Sequence, residues 1–239
     1  MSPRLSLVTD TIPFAWVDGP GNRIVIFFQG CNFDCAACHN PQTIPLASVH
    51  AHQWSVADVL DRVRASMPHI RGITASGGEA TVQWEFLVDL FTTMKASSEF
   101  KYLTTFIDSN GHVEDAVWDA LLPVTDGVML DLKALDDNVH RELTGMSNEL
   151  VLASIRRLAA EGKLYETRLM LVPGRNDGDD QLQSVGSFLM GIDPNMRVKI
   201  NHFHRHGTRN PASTWSEADD ALREHYRDVL YASGVEYLC

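Results

Sequence analysis

Three of the four cysteines lie close together, at Cys31, Cys35 and Cys38, with three residues between the first two and two residues between the last two. Soft thiolates in so compact a segment suit an iron–sulfur cluster or zinc. Structural zinc needs four ligands, and His39, next to Cys38, is poorly placed to be the fourth. A cubane cluster held by three cysteines keeps one iron open. An open iron indicates chemistry rather than a structural role.

Other interpretations of these cysteines remain open. They could bind zinc, or they could be buried free thiols that pack as small apolar side chains. A disulfide framework fits poorly, because such frameworks distribute cysteines so as to close loops. The fourth cysteine, Cys239, ends the printed sequence, and we expect it to be incidental. The pattern favours a metal site in a reducing compartment.

A second polar segment, Ser76-Gly77-Gly78-Glu79, follows a short β-rich run. Two glycines let a backbone approach a ligand closely, while the amides and the carboxylate can meet its polar groups. Gly-Gly pairs are also common in ordinary turns, so an ordinary turn remains an alternative.

Asp131 and Lys133 are two residues apart at the end of an apolar run, so on a strand their side chains share one face. The lysine could pair with a ligand carboxylate, and the aspartate could bind a cation or orient the lysine. A simple salt bridge explains Asp131 equally well.

Arg168 lies inside an apolar run, where a charge is costly unless it is paired. It could meet a ligand carboxylate, an incoming peptide or a carboxylate of the core. His202, His204 and His206 alternate with other residues, so on an extended segment they would face one side. That arrangement suits a metal or ordinary polar packing.

Apolar β-rich segments alternate with segments of helical period, which predicts an α/β fold with repeated βα units around a parallel sheet. The predicted strands are Arg23–Phe28, Gly72–Ala75, Thr104–Asp108, Gly127–Leu132, Glu166–Val172 and Val198–His202. The predicted helices are Val56–Ala65, Trp84–Lys95, Glu114–Leu122, Val151–Glu161, Gln181–Met190 and Glu217–Ser233.

Almost every polar cluster of interest directly follows a predicted strand. The carboxyl ends of parallel strands point to the same face of a sheet or barrel, so we expect these clusters to converge on one mouth. They are Gln29-Gly30-Cys31, Ser76–Glu79, Asp108-Ser109-Asn110-Gly111, Asp131-Leu132-Lys133 and His202-Phe203-His204.

Composition narrows the class of protein. A chain of 239 residues with 44% hydrophobic content and no linker predicts one domain, residues 1–239. The formal net charge of −11 argues against a nucleic-acid binder. We see no signal peptide and no long apolar run, and we expect a cytoplasmic protein.

Taken together, these motifs resemble the radical S-adenosylmethionine (SAM) enzymes. More closely, they resemble the activases of glycyl radical enzymes, of which the pyruvate formate-lyase activase is the familiar member. The likeness runs from about Asp18 to about Gly207, nearly the whole chain. The matching segments are Asp18-Gly19-Pro20-Gly21 with Arg23, Phe28–Cys31, Cys38-His39-Asn40-Pro41, Ser76–Ala80, Asp108–Gly111 and Val128–Lys133.

The resemblance implies a partial (β/α)6 TIM-type barrel, a [4Fe-4S] cluster on the three cysteines, and SAM. The position before the third cysteine is usually aromatic, but here it is Ala37, so adenine must pack elsewhere. Only Pro45–Trp54 follows the motif, where many activases carry further cysteine sets, so we predict one cluster.

The resemblance also assigns site residues. Ser76–Glu79 would meet the amino group of SAM, His204 would lie near the ribose, and Asp108, Ser109 and Asp131 would border a monovalent cation. The full predicted cofactor set is Ala37, Cys38, His39, Gly77, Gly78, Glu79, Asp108, Ser109, Asn110, Asp131, Lys133, Arg168 and His204. No side chain is expected to act as acid or base, because the cluster and cofactor supply the reaction.

The implied reaction is reductive cleavage of SAM and removal of a hydrogen atom from a glycine of a partner glycyl radical enzyme, under anaerobic conditions. The expected electron donor is a flavodoxin or ferredoxin, and the expected state is a monomer. The expected target is a poorly defined glycyl radical enzyme, and the alternatives are a pyruvate formate-lyase and an anaerobic ribonucleotide reductase. Activases of the latter are usually shorter, so the full set of six strands argues against it. A radical reaction on a small molecule and a non-enzymatic iron–sulfur carrier or sensor remain alternatives. Because only six strands are clear, we expect the barrel to be open at one side.

Overall fold

Strands and helices alternate along most of the chain. The computed structural model describes residues 4–239. The strands are β1 Leu5–Ala15, β2 Arg23–Phe28, β3 His52–Ser55, β4 Gly72–Gly77, β5 Thr104–Ser109, β6 Gly127–Leu132, β7 Leu164–Leu171, β8 Arg197–His202 and β9 Tyr237–Leu238. The helices are α1 Val56–Ser66, α2 Trp84–Ala96, α3 Asp115–Leu121, α4 Asp137–Thr144, α5 Glu149–Ala160, α6 Asp179–Ile192 and α7 Asp220–Ala232.

The strand order in the sheet is β3-β1-β2-β4-β5-β6-β7-β8-β9. β2 pairs with β4, β4 with β5, β7 with β8 and β8 with β9 in parallel, whereas β1 is antiparallel to both β2 and β3. β3 and β9 stand at the two ends of the order and are not neighbours, so the sheet is open. The expected α/β fold with a largely parallel, unclosed sheet is confirmed.

The chain divides into two compact units, and β6 contributes to both. The first contains the described residues up to Asn32, Gln42–Ser109 and Val113–Met129, and the second contains Phe33–Pro41, Asn110–His112 and Leu130–Cys239. The expectation of one domain over residues 1–239 stays a prediction.

The core of the first unit forms around strands that are covered on both faces. Ile24, Val25 and Ile26 of β2 are successive residues, and none exceeds 1% exposure. A strand has such an uninterrupted apolar run when both of its faces are buried. Phe86 and Leu90 of α2 add to this core.

The core of the second unit comes from the apolar faces of α5, α6 and α7. Ile155 and Leu158 of α5, Leu189 of α6 and Leu230 of α7 are fully buried. Ile155 and Leu158 are three residues apart, so they lie on one face of α5, as an amphipathic helix requires.

All six predicted strands and all six predicted helices are confirmed; β2 and β6 match at both ends, and no end of the others shifts by more than three residues. The sequence interpretation missed β1, β3, β9 and α4. No helix within residues 4–239 is both long enough and apolar enough to cross a membrane.

Candidate cluster and cofactor site

The Gly77-Gly78 pair lies at the carboxyl end of β4, against the backbone that leads to Cys31. Gly77 has a φ of +120°, and a Cβ there would lie 2.3 Å from the backbone nitrogen of Phe28. A Cβ on Gly78 would lie 2.3 Å from the carbonyl oxygen of Gly30. The amide of Gly78 donates to the Phe28 carbonyl over 2.9 Å. Both glycines are therefore needed for backbone packing at the end of β4, whatever else they bind.

Glu79 is buried, and three hydrogen bonds hold its carboxylate in one orientation. Its Oε1 accepts from the Thr81 amide at 3.0 Å, from the Thr81 hydroxyl at 2.7 Å and from the Ser109 hydroxyl at 3.0 Å. Two predicted site residues from separate motifs, Glu79 and Ser109, are thus in direct contact.

Asp108, at the end of β5, accepts a hydrogen bond from the Ser76 hydroxyl over 2.9 Å at its Oδ2. This contact joins the carboxyl end of β4 to the carboxyl end of β5 in the first unit. Asn110, 8% exposed, accepts from the amide of His112 over 2.9 Å and so shapes the turn that follows.

Asp131 and Lys133 form an ion pair in the second unit, with 2.7 Å between Oδ2 and Nζ. Their side chains are 26% and 14% exposed, so the pair is partly buried. The two side chains meet, as their spacing predicts, and form the simple salt bridge; contact with a ligand carboxylate or a cation stays a prediction.

Arg168 also has a carboxylate partner. Its Nε lies 2.8 Å from Oε1 of Glu166, and the two side chains are 7% and 6% exposed. The Cys239 thiol lies 3.7 Å from the other oxygen of Glu166. Pairing with a core carboxylate, one of the three interpretations of Arg168, is confirmed, and contact with the cofactor carboxylate or with an incoming peptide stays a prediction.

Ala37 and His39 lie in a small aromatic environment. Ala37 is buried with Val172, Phe203 and Ala212, and Trp215 packs against this group. The His39 ring lies 6.0 Å from that of Phe203, and its Nε2 is 2.8 Å from the backbone oxygen of His204. The segment that carries the third cysteine therefore contacts the segment after β8.

His202, the last residue of β8, and His204, just after the strand, have different surroundings. His202 stacks on Tyr226, with 6.2 Å between ring centroids. The exposed His204 ring lies 3.4 Å from a Glu217 oxygen. Among residues 4–239, no three His, Cys, Asp or Glu side chains are grouped so as to hold a metal ion. The metal interpretation of His202, His204 and His206 gains no support, and cluster ligation by the three cysteines stays a proposal.

The chain matches the model of the radical SAM superfamily over residues 25–183. The chain belongs to the radical SAM superfamily. It is 36% identical over 208 residues to the pyruvate formate-lyase-activating enzyme of Streptococcus mutans, covering 84% of this chain and 78% of the relative. The pyruvate formate-lyase 1-activating enzyme of Escherichia coli K12 is 36% identical over 80% of this chain and 78% of its own length. A putative glycyl-radical enzyme activating enzyme of Haemophilus influenzae is 32% identical over 84% of this chain and 83% of its own length.

Solved structures share the fold. A domain of a pyruvate-formate lyase-activating enzyme from Bacteroides vulgatus aligns with a TM-score of 0.59 at 21% identity, covering 70% of this chain and 97% of that one. QueE from Escherichia coli aligns with a TM-score of 0.60 at 13% identity, covering 95% of this chain and 90% of that one. At such identities the likeness concerns the fold alone.

Membership in the radical SAM superfamily implies a [4Fe-4S] cluster and SAM, and the thiols fit that requirement chemically. Burial, partly offset by nearby Lys133, raises the pKa of Cys35 to about 11. Burial also raises the pKa of Cys38. Thiols in this setting stay protonated at neutral pH unless a cation replaces the protons, as iron does. Soft, partly buried thiols are the donors that iron–sulfur clusters take.

Sequence reasoning missed two residues that hold predicted site residues in place. Asn176 donates from Nδ2 to the carbonyls of Lys133 at 2.6 Å and Met170 at 2.7 Å, and its Oδ1 accepts from the Val172 amide at 2.7 Å. It ties the end of β7 to the segment that carries Lys133. Thr81, which holds Glu79, is the second. The sequence signal that could have identified Asn176 is its position as a polar residue shortly after the predicted strand Glu166–Val172.

A cavity of about 370 Å³ lies in the second unit next to Lys133. Its other walls include Leu169 and Leu171 of β7 and Leu182 and Val185 of α6. Lys133 is the one predicted site residue in its lining, so the cavity does not coincide with the rest of the predicted cofactor set.

Proposed function

We propose that this radical SAM protein is a glycyl-radical-enzyme activase that removes a hydrogen atom from one glycine of a partner enzyme. The observation that carries the proposal is the 36% identity to a pyruvate formate-lyase-activating enzyme over 84% of this chain. The motifs outside the cysteine loop add to it. An iron–sulfur carrier or sensor would need neither the buried Glu79 network nor the Asp131–Lys133 pair.

Cys31, Cys35 and Cys38 are the proposed ligands of a single [4Fe-4S] cluster. When bound, the cluster supplies one electron that cleaves SAM to methionine and a 5′-deoxyadenosyl radical, which takes the hydrogen atom. The short Pro45–Trp54 segment contains no further cysteines, which supports one cluster rather than several.

Lys133 is the proposed partner of the SAM carboxylate. A charge-assisted hydrogen bond is short and about twice as strong as a neutral one. Asp131 lies 2.7 Å from Nζ and so limits the positions that the ammonium group samples. Pre-orientation of this kind lowers the entropy lost when the cofactor binds.

The Glu79 network is the proposed contact for the SAM amino group. A carboxylate fixed by Thr81 and Ser109 is a preorganised acceptor for an ammonium group. Gly77 and Gly78 keep the local backbone free of side chains, and His204 is proposed for the ribose. The remaining proposed cofactor residues are Ala37, Cys38, His39, Asn110 and Arg168.

The other proposals concern the setting of the reaction. Asp108, Ser109 and Asp131 are proposed to border a monovalent cation, and the proposed electron donor is a flavodoxin or ferredoxin. We propose a cytoplasmic monomer that binds no nucleic acid, in line with the net charge of −11.

The test uses a partner protein labelled at its glycines. The reconstituted chain, a reductant and SAM are mixed anaerobically with a pyruvate formate-lyase that carries α-deuterated glycine. We expect a glycyl radical signal in electron paramagnetic resonance (EPR) and deuterium in the 5′-deoxyadenosine. Formation of unlabelled 5′-deoxyadenosine with no protein radical, repeated for each candidate glycyl radical enzyme, would favour a small-molecule substrate.

A further inference from the structure

The loop that carries Cys35 and Cys38 is hydrogen-bonded to the carboxyl end of α4. The amide of Asp34 donates to the Thr144 carbonyl over 3.1 Å, and the amide of Ala36 donates to the Leu143 carbonyl over 3.0 Å. The last carbonyls of a helix have no partner within the helix, so they are available to such donors. The two amides on either side of Cys35 thus both donate hydrogen bonds to carbonyls of α4.

The carboxyl end of α4 is itself locked by a buried network. The Thr144 hydroxyl donates to the His140 carbonyl at 2.8 Å and accepts from the Met146 amide at 3.1 Å. His140 Nδ1 lies 2.9 Å from the Met146 carbonyl, which can only accept, so Nδ1 carries the hydrogen. The side chains of His140 and Thr144 are fully buried. The helix then ends at Gly145, whose φ is +82°.

The cysteine loop also packs directly on this network. The Phe33 ring, 3% exposed, meets the His140 ring edge to face, with 5.6 Å between centroids and an interplanar angle of 79°. Within residues 4–239, His140 Nε2 is buried and has no hydrogen-bond partner. His140 therefore acts through Nδ1 and through the faces and edges of its ring.

The reduction potential of an iron–sulfur cluster depends on the hydrogen bonds that its sulfurs receive. An amide that donates to a cluster sulfur stabilises the reduced, more negative state and raises the potential. The amides of Asp34 and Ala36 already donate to α4. A cluster on this loop therefore receives less stabilisation of its reduced state.

We infer that the carboxyl end of α4 is a clamp that withholds the Asp34 and Ala36 amides from the cluster and so keeps its reduction potential low. His140 and Thr144 are positioning residues in this clamp, since they act through the α4 carbonyls. A low potential favours electron transfer to SAM, and to that extent the inference rests on the proposed function.

The test compares two matched pairs of variants. Thr144→Val removes the hydroxyl and keeps the shape, whereas Thr144→Ser keeps the hydroxyl. His140→Leu removes the Nδ1 donor, whereas His140→Asn retains an amide donor close to the same place. The first readout is hydrogen exchange of the Asp34 and Ala36 amides in the apoprotein. The second is the midpoint potential of the reconstituted cluster, measured by EPR-monitored redox titration.

We expect faster exchange at both amides and a more positive midpoint potential in Thr144→Val and His140→Leu. Thr144→Ser and His140→Asn should stay close to wild type in both readouts. A thermal melt of each apoprotein shows whether it is folded. If Thr144→Val does not fold, Gly145→Ala replaces it, since a Cβ there meets nothing within 4 Å and strains only the +82° φ. Gly145→Asn is its control, because Asn tolerates that φ.

Unchanged exchange at Asp34 and Ala36 in folded Thr144→Val or Gly145→Ala would overturn the clamp. Faster exchange with an unchanged midpoint potential would overturn its effect on the cluster. The exchange measurement needs no cluster. If wild type assembles no [4Fe-4S] cluster, the proposed function fails, while the exchange result still decides whether the clamp exists.

Discussion

The Arg23 guanidinium is fully buried, and several acceptors surround it. It donates to the Thr74 hydroxyl at 2.8 Å, to the Ile73 carbonyl at 2.7 Å and to the Thr104 hydroxyl and carbonyl at 2.8 and 3.0 Å. It also lies 4.4 Å above the centre of the Phe106 ring. The planar fork of an arginine suits such an arrangement, and a lysine cannot reproduce it. Arg23 belongs to the Asp18–Gly21 and Arg23 motif that resembles the activase family, and its role in that motif is structural.

Arg23→Lys should lower the free energy of unfolding by about 2–4 kcal/mol. Hydrogen bonds to charged groups contribute roughly 1.5–3 kcal/mol each, and lysine has at most three donors. Urea unfolding followed by tryptophan fluorescence measures the change. The exposed Arg71 gives a matched control, and Arg71→Lys should change stability by less than about 0.5 kcal/mol. Equal stability of Arg23→Lys and wild type would contradict the structural role.

Lys133→Ala should leave cluster content unchanged and weaken SAM binding by about 10- to 100-fold. The range follows from a charge-assisted hydrogen bond of roughly 1.5–3 kcal/mol. Calorimetric titration of the reconstituted protein gives the affinity, and iron analysis gives the cluster content. Lys101→Ala, at an exposed position, is the control and should bind as wild type does. Unaltered affinity in Lys133→Ala would rule out the carboxylate contact.

At the scale of elements, α4 ties the cysteine loop to the start of α5. Ser147 and the amide of Asn148 donate to Oδ1 of Asp137 at 2.8 and 2.9 Å, and Arg141 pairs with the other oxygen at 2.6 Å. Arg141 is the largest cause that lowers the pKa of Asp137 to about 2, and the Asn148 and Ser147 hydrogen bonds add to it. Because the folded pKa lies below the ordinary value of 3.8, this stabilisation is present above pH 3.8. It is lost as the pH falls through about 2.

Removing Arg141 should therefore raise the pKa of Asp137 toward its ordinary value. Carboxyl carbon chemical shifts, followed by nuclear magnetic resonance across pH 1.5–6, report the titration directly. We expect a clear increase in Arg141→Ala and a smaller one in Arg141→Lys, which keeps the charge. An Asp137 pKa that stays at about 2 in Arg141→Ala would assign the shift to Ser147 and Asn148 instead.

The elements that the sequence predicts correctly are those with an uninterrupted apolar run or a clear helical period. β6, Gly127–Leu132, is recognisable because five of its six residues are buried. β1 was missed because Ile12 and Phe14 are exposed, so that the strand lacks a regular alternation of apolar and polar residues. α4 was missed because only His140, Leu143 and Thr144 of its eight residues are buried.

In the candidate site, contacts between residues close in the chain were predictable from the sequence, and contacts between distant residues were not. The Asp131–Lys133 pair was predictable because residues two apart on a strand share a face. The contacts of Glu79 with Ser109, and of Asn176 with Lys133, join residues far apart in the chain. They depend on tertiary packing, which no single-sequence pattern encodes.

At the scale of the whole molecule, the sequence predicts one domain, whereas the structure divides into two compact units. One domain predicts a single cooperative unfolding transition. Circular dichroism and the fluorescence of the five tryptophans should then give the same urea midpoint. Two separate transitions would show that the units unfold independently and would contradict the prediction of one domain.

The most direct test of the radical reaction is the formation of 5′-deoxyadenosine by the anaerobically reconstituted and reduced protein after addition of SAM. Chromatography should detect it in wild type and in Cys239→Ala, and not in Cys35→Ala, which lacks a proposed cluster ligand. A wild-type protein that holds a reduced [4Fe-4S] cluster and binds SAM, yet forms no 5′-deoxyadenosine even with its partner enzyme present, would contradict reductive cleavage. Equal product from Cys35→Ala and wild type would contradict the assignment of the cysteines.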